Sequence, residues 1–378
     1  MSNCRTNQTT HKHMVNANSF ENFPGHAIIP KIDWLNCIPD FCYKKRSTEV
    51  HEINKWQIPV YIFENHAAAL KAWYKHRETH PDLITFDEHT DTFPPLWSQR
   101  RDVLDHRDET QINNDWLNRL KRTKHNIDTI NTDDFFQEGD ILRKQERGGY
   151  CKLWHTEQIL TAIYLEIIGK AYICAPDSFN PKPYTEIEEI IELYNNVHYL
   201  NGLLKPSISS FMFPGHGDLV HAIVNLAECL HQDLRNDTLA VLKKYGYGMP
   251  DNYILDIDLD YFQNPFFESM PYERYKLFLD LVRNARAITI ATEGECVDAS
   301  SRNYNSSVEE YNIYAQKYNF EPLPMITWTS KDALEGVLSL IEYELSGQRD
   351  EQDEKCRKFD EENDLRLAKN RKKNNLPS

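Results

Sequence analysis

No stretch of this sequence approaches the length of apolar residues needed to cross a bilayer, and the N-terminal "MSNCRTNQTTHKHMVNANSF" lacks an apolar signal core. A membrane-spanning or secreted chain is therefore not expected, and a cytoplasmic one is. No C-x-x-C pair occurs among the eight cysteines, and several, as in "KAYICAPD", lie inside apolar runs. Reduced core thiols fit that pattern better than a disulfide framework or a thiolate metal site. Positive charge is also short: 43 basic against 58 acidic residues leave a net charge of -15. Such a surface repels phosphate backbones, which argues against a nucleic-acid partner and tolerates a cationic one. There is no internal repeat.

What is present suffices for a large core. The chain has 378 residues, 40% hydrophobic and 12% aromatic, too apolar for a disordered chain and long enough for one decorated domain. Residues 1–26 read as a flexible polar leader, whose His11 and His13 belong to a solvated tail. Residues 27–345 read as a single domain, and the highly charged 346–378 as a helical or disordered tail.

Between those ends the apolar pattern alternates. "QIPVYIF", "DLITFD", "KAYICA", "NVHYLN", "YILDIDLDYF" and "AITIAT" have strand character. "HAAALKAWYKHRE", "LWHTEQILTAIYLEIIG", "YTEIEEIIELYN", "YERYKLFLDLVRNAR" and "DALEGVLSLIEYEL" have helical spacing. Strands alternating with helices predict an α/β fold, a three-layer α/β/α arrangement around a mainly parallel sheet. In such sheets ligands bind at the carboxyl ends of the strands.

Three segments fall at such ends. "YIFENH" closes a strand and hands over to a helix at His66, with Asn65 as a candidate cap. "LITFDEHTD" delivers Asp87, His89 and Asp91, which converge if the chain stays extended, because alternate residues then share a face. "YILDIDLDYF" places Asp256, Asp258 and Asp260 on one strand face among apolar neighbours. Ionised carboxylates in that setting cost several kcal/mol or more each unless cations neutralise them. Two histidines and four aspartates suit a pair of divalent ions, with Mn2+ the best fit and Zn2+ or Fe2+ less good. Two such ions can hold a bridging hydroxide as a nucleophile at neutral pH. His76 and His80, four residues apart on the predicted helix, lack a third ligand nearby and read as surface residues. The segment around Trp34, Cys37 and Cys42 could dress the cleft.

An upstream His followed by "DEHTD" and "DID" resembles the arginase/agmatinase ureohydrolases, whose motifs read D-x-H-x-D and D-x-D. "FENHAAAL", "TFDEHTDTF" and "LDIDLDYF" look like a divergent branch that includes bacterial peptide arginases, which convert arginine in ribosomal peptides to ornithine. The resemblance covers residues 55–300 and implies an arginase/deacetylase-like fold. It also implies one Mn2+ held by His66, Asp87, Asp91 and Asp256, and a second by His89, Asp87, Asp256 and Asp258. The Gly-rich context before the first His and the "G-L-D-P"-like ending are missing, and a third acid, Asp260, leaves Asp258 with Asp260 as the alternative pair to the favoured Asp256 with Asp258. Glu293 looks like the carboxylate that grips the guanidinium, with Glu295 as a substitute. The proton shuttle falls to His155 or His216.

The expected activity is hydrolysis of peptidyl arginine to ornithine and urea, with an arginine-containing peptide as the partner. A deacetylase-like amide hydrolase would want a His-His pair, which the chain lacks. A non-catalytic arginine-peptide binder would keep the fold without turnover.

Overall fold

The computed structural model describes residues 38–87, 89, 91–97, 108–137, 153–174, 187–199, 250–261, 272–318 and 329–351, with single positions 322, 325, 354 and 358. Lys31–Ser346 forms one compact unit. The described residues that follow it include a helical stretch from 348 to 351.

Seven strands and seven helices are described. In chain order they are β1 (His51–Ile53), β2 (Val60–Phe63), α1 (Ala69–Tyr74), β3 (Asp82–Phe86), α2 (Glu109–His125), α3 (Gln158–Tyr164), β4 (Ala171–Cys174), α4 (Glu188–Ile191), β5 (Val197–Tyr199), β6 (Tyr253–Asp258), α5 (Tyr272–Asn284), β7 (Ala287–Ala291), α6 (Gly294–Tyr318) and α7 (Ser330–Leu345). The strands make one sheet in the order β1-β2-β7-β6-β3-β4-β5. Every neighbouring pair is parallel except β1 with β2. This is an α/β fold with a mostly parallel sheet.

β2, β4, β6 and β7 are buried at every residue, as strands covered on both faces must be. Alternation sorts their side chains. Tyr61, Phe63, Leu83, Ile173, Ile254 and Ala287 join a core with Leu70 and Trp73 of α1, Trp116 and Leu120 of α2, and Ile159 and Ile163 of α3. Ile84, Phe86, Leu255, Ile257 and Ile288 are equally buried on the opposite face, where Phe86 meets Phe278 of α5 at 6.1 Å between ring centroids.

α7 starts at a capping box. Thr329 Oγ1 accepts the Asp332 backbone N–H at 3.3 Å, and Asp332 Oδ2 accepts the Thr329 N–H at 3.1 Å. Thr329→Ala removes one of these bonds and should cost about 1 kcal/mol. A melting temperature lower by roughly 2–4 °C would check this.

The strand order positions the site. β2, β7, β6 and β3 are consecutive in the sheet and run the same way. Their carboxyl ends therefore meet on one side, and each is followed by an acidic residue or a histidine: Glu64 to His66, Thr292 and Glu293, Asp258 to Asp260, and Asp87. Among the described residues no helix is long and apolar enough to cross a membrane.

Candidate metal centre

His66 sits at the centre. Asn65 caps the short 3-10 turn His66–Ala68 by accepting the Ala67 N–H at 2.9 Å, and α1 continues from it. That local geometry drives the imidazole down onto the sheet, fully buried. Its Nδ1 lies 3.0 Å from Asp91 Oδ2, 3.3 Å from Asp258 Oδ2 and 3.5 Å from Asp87 Oδ2. Its Nε2 lies 2.8 Å from Asp256 Oδ2. All four aspartates are buried.

Asp87 and Asp258 are presented by the same local device. The strand ends, and the aspartate turns one oxygen back to a backbone N–H two residues on. Asp87 Oδ1 accepts from His89 N–H at 2.7 Å, and Asp258 Oδ1 accepts from Asp260 N–H at 3.3 Å. The other oxygen of each then faces His66 Nδ1. Asp91 reaches the same point from a left-handed backbone, φ 46°, with its Oδ2 also accepting from Gln158 of α3. The extended run expected for Asp87, His89 and Asp91 is thus replaced by a turn; convergence comes from that turn and the left-handed residue.

His66 Nδ1 and Asp87 Oδ2 are buried with no hydrogen-bond partner. A nitrogen and carboxylate oxygens that converge in a buried place, two of them unpartnered, leave room for a cation. The ligand atoms of His66, Asp87 and Asp258 lie within 4.8 Å of one another, as do those of Asp87, His89 and Asp260. Asp87 is common to both groups. His89 is 53% exposed at its side chain, with Nδ1 3.2 Å from Asp260 Oδ2 and 3.8 Å from Asp87 Oδ1. The donor set, imidazole nitrogens with carboxylate oxygens and no thiolate, suits a divalent cation.

The electrostatics agree. Burial, and then the charges of Asp91 and Asp258, push the Asp87 carboxyl well above the usual carboxylate range. Burial, Asp260 and Glu293 do the same to Asp258. His89 is pushed up to about 9, chiefly by its hydrogen bond to Asp260.

The three acids of this segment divide between two places. Asp256 faces His66 Nε2 and not the Nδ1 cluster, and its oxygens accept from Thr85 Oγ1 at 2.8 Å and Thr289 Oγ1 at 2.5 Å. The pair beside Asp87 is Asp258 with Asp260. β6 ends at Asp258 and the chain turns into a 3-10 helix over Leu259–Tyr261, so Asp260 reaches His89 from a turn and not from the strand face.

Of the other candidates, Glu293 is at the cluster. It has φ 26°, and its Oε1 accepts the His66 backbone N–H at 3.0 Å. Burial raises its pKa first, with Asp91 and Asp260 adding to the rise and His66 and His155 opposing it. Glu295 is not at the cluster. Its side chain is 68% exposed and ion-paired with Lys45. His155 is exposed in a turn held by Phe93 N–H donating to Thr156 O at 2.8 Å. His216 lies outside the described residues, as do Trp34 and Cys37. His76 and His80 do not share a helix: α1 stops at Tyr74, His76 is half-buried with Nε2 3.2 Å from Tyr61 OH, and His80 is exposed at φ 42°.

The described cysteines Cys42, Cys174 and Cys296 are free. Cys296 adjoins the cluster, where burial, followed by Glu293, Asp260 and Asp258, pushes its thiol up. Sequence reasoning missed Thr85, Thr289 and Gln158. The signal for the threonines was available: each is a hydroxyl in the middle of an otherwise apolar buried strand, "DLITF" and "AITIA".

No family model, curated protein or solved structure matches the chain. Its chemistry is read from side-chain geometry.

Proposed function

We propose that this chain is a binuclear Mn2+-dependent hydrolase with an arginase-like fold, which cleaves the guanidinium of peptidyl arginine to ornithine and urea. The observation that carries the metal reading is the buried, hydrogen-bond-free facing of His66 Nδ1 and Asp87 Oδ2 amid the Asp91 and Asp258 carboxylates. His66, Asp87, Asp91 and Asp258 would hold one ion, and Asp87, His89 and Asp260 the other. Bound ions of this kind supply Lewis acidity and a water whose pKa lies near neutrality.

The remaining roles fall to the chain's own groups. Glu293 is a half-buried carboxylate next to the cluster, suited to a planar cation such as guanidinium. Its backbone is strained at φ 26° and its carboxylate is tied to His66 N–H, which fixes where the guanidinium would sit. Water adds to the guanidinium carbon, the bond to the side-chain nitrogen breaks, and that nitrogen takes a proton to leave as the ornithine amine. His155, exposed and within electrostatic range of Glu293, is the described residue suited to deliver it.

Preference for a peptide over free arginine rests on the resemblance to peptide arginases, and two exposed aromatic residues neighbour site residues in sequence. Phe93, two residues after Asp91, is 52% exposed, and Trp154, next to His155, is 42% exposed. The hydrogen bond between Phe93 N–H and Thr156 O joins their two segments.

Incubation of the Mn2+-loaded chain with an arginine-containing peptide should release urea. No urea from any arginine peptide, with metal confirmed bound, would overturn the reading. Glu293→Gln keeps an oxygen for the His66 N–H but loses the charge. Urea release should fall by roughly 10- to 100-fold, the range for losing a charged hydrogen bond, with metal content unchanged.

A further inference from the structure

Asp256 lies in a row of side chains that the metal reading does not use. Thr85 of β3 and Thr289 of β7 are its registered neighbours on either side of β6, so all three point to the same face of the sheet. All are fully buried. The row continues to α1, where Trp73 Nε1 donates to Thr289 Oγ1 at 3.3 Å.

The hydrogens in this row can run in only one sense. The indole N–H is a donor and nothing else, so Thr289 Oγ1 accepts from Trp73 and directs its own hydrogen to Asp256 Oδ1, 2.5 Å away. Thr85 donates to Oδ2 from the other strand. Asp256 is left as an acceptor, and the contact of 2.8 Å to His66 Nε2 must carry its hydrogen on the histidine. In a neutral imidazole the other nitrogen, Nδ1, then bears the lone pair. Nδ1 is the atom that faces Asp87, Asp91 and Asp258.

We infer that Asp256 is a positioning residue, which together with Thr85, Thr289 and Trp73 fixes the tautomer and tilt of His66 so that Nδ1 is presented to a divalent cation. This rests on the metal reading above. The arrangement is closed: His66 and Trp73 are seven residues apart, two helical turns, and both ends of that stretch are tied to one carboxylate through one sheet row. Carboxylates behind a ligating imidazole raise its basicity and hold its orientation, and their loss weakens metal binding by about 10- to 100-fold.

The test uses the full chain. Isothermal titration of metal-free Asp256→Asn with Mn2+ should keep the wild-type stoichiometry with a Kd weaker by roughly 10- to 100-fold. Thr289→Val, a milder change that removes one donor to Asp256, should weaken Kd by about two- to fivefold. Nitrogen-15 NMR of histidine-labelled, Zn2+-loaded wild type should show His66 protonated at Nε2 and metal-bound at Nδ1. Loss of a whole metal equivalent in Asp256→Asn would make Asp256 a ligand and overturn the inference. So would an unchanged Kd in the folded variant, or metal bound at Nε2. If Asp256→Asn does not fold, Thr289→Val and the wild-type spectrum decide. A wild type that binds neither Mn2+ nor Zn2+ would defeat the metal reading itself, a distinct result.

Discussion

Mn2+ at about 1,000 times its Kd should raise the melting temperature of the metal-free chain by roughly 8–16 °C, and Asp258→Asn should cut that response to what the ion held by Asp87, His89 and Asp260 supplies. The first figure follows from binding to the folded state alone, about 4 kcal/mol at that excess, with each kcal/mol worth roughly 2–4 °C in a domain of this order of size. Asp258→Asn should also melt higher than metal-free wild type. Asp87, Asp91, Asp258, Asp260 and Glu293 crowd one region, and removing one of several like charges there relieves repulsion among those that remain. The pH dependence has a definite sign. A carboxyl whose pKa is raised on folding, as Asp87 and Asp258 are, favours the folded state while protonated. That contribution is full below the unfolded-chain value near 4 and is lost as pH rises towards the folded one. Metal-free wild type should therefore lose stability from these groups as pH climbs above about 4, and the Mn2+ response should offset that loss at neutral pH. Scanning calorimetry with and without Mn2+ measures all of these. An Asp258→Asn variant that still gains the full shift would show that this carboxylate binds no metal.

Trp73→Ala should destabilise the chain by about 3–5 kcal/mol, lowering the melting temperature by roughly 6–20 °C. Trp73 is among the largest fully buried side chains, on the face of α1 that packs against the sheet. It also donates the hydrogen bond to Thr289, so the change creates a cavity and removes a donor at once. Trp73→Phe keeps most of the ring area and should cost only about 1–2 kcal/mol, the loss of one buried hydrogen bond plus a small void. Calorimetry on the pair separates packing from hydrogen bonding. Equal losses in the two variants would mean that the indole N–H, and not the ring, holds α1 in place.

β3, β4, β6 and β7 were legible because each is a short, apolar, β-branched run bounded by polar residues, and the cap at Asn65 was legible because His66 follows a strand. α2 and α6 were not. α2 buries only Ile112, Trp116, Leu120 and Thr123 out of seventeen residues, and α6 carries sparse buried positions such as Val297, Val308 and Ala315. A stripe that narrow is easily read as polar loop. The strand β1 is only partly buried and pairs along one edge, which leaves little apolar signal.

At the site, the residue types were legible and the register was not. Reading "YILDIDLDYF" as one extended strand puts Asp256, Asp258 and Asp260 on a common face. The Asp258 carboxylate instead accepts the Asp260 N–H and ends the strand. A local side-chain-to-backbone bond overrode the period of two. The role of Asp256 depended on Thr85 and Thr289, which lie 171 and 33 residues away in sequence and are brought together only by strand order. Glu295, two residues beyond Glu293, sits away from the cluster because α6 begins at Gly294 and carries it out to Lys45.

The two-ion centre is tested most directly by elemental analysis of the Mn2+-loaded, dialysed chain. Wild type should hold two equivalents. Asp260→Asn should hold one, because the His66, Asp87, Asp91 and Asp258 group is untouched, and Asp87→Ala, which removes the carboxylate common to both groups, should hold neither ion tightly. A wild type without bound metal, or two equivalents retained in Asp87→Ala, would contradict the account.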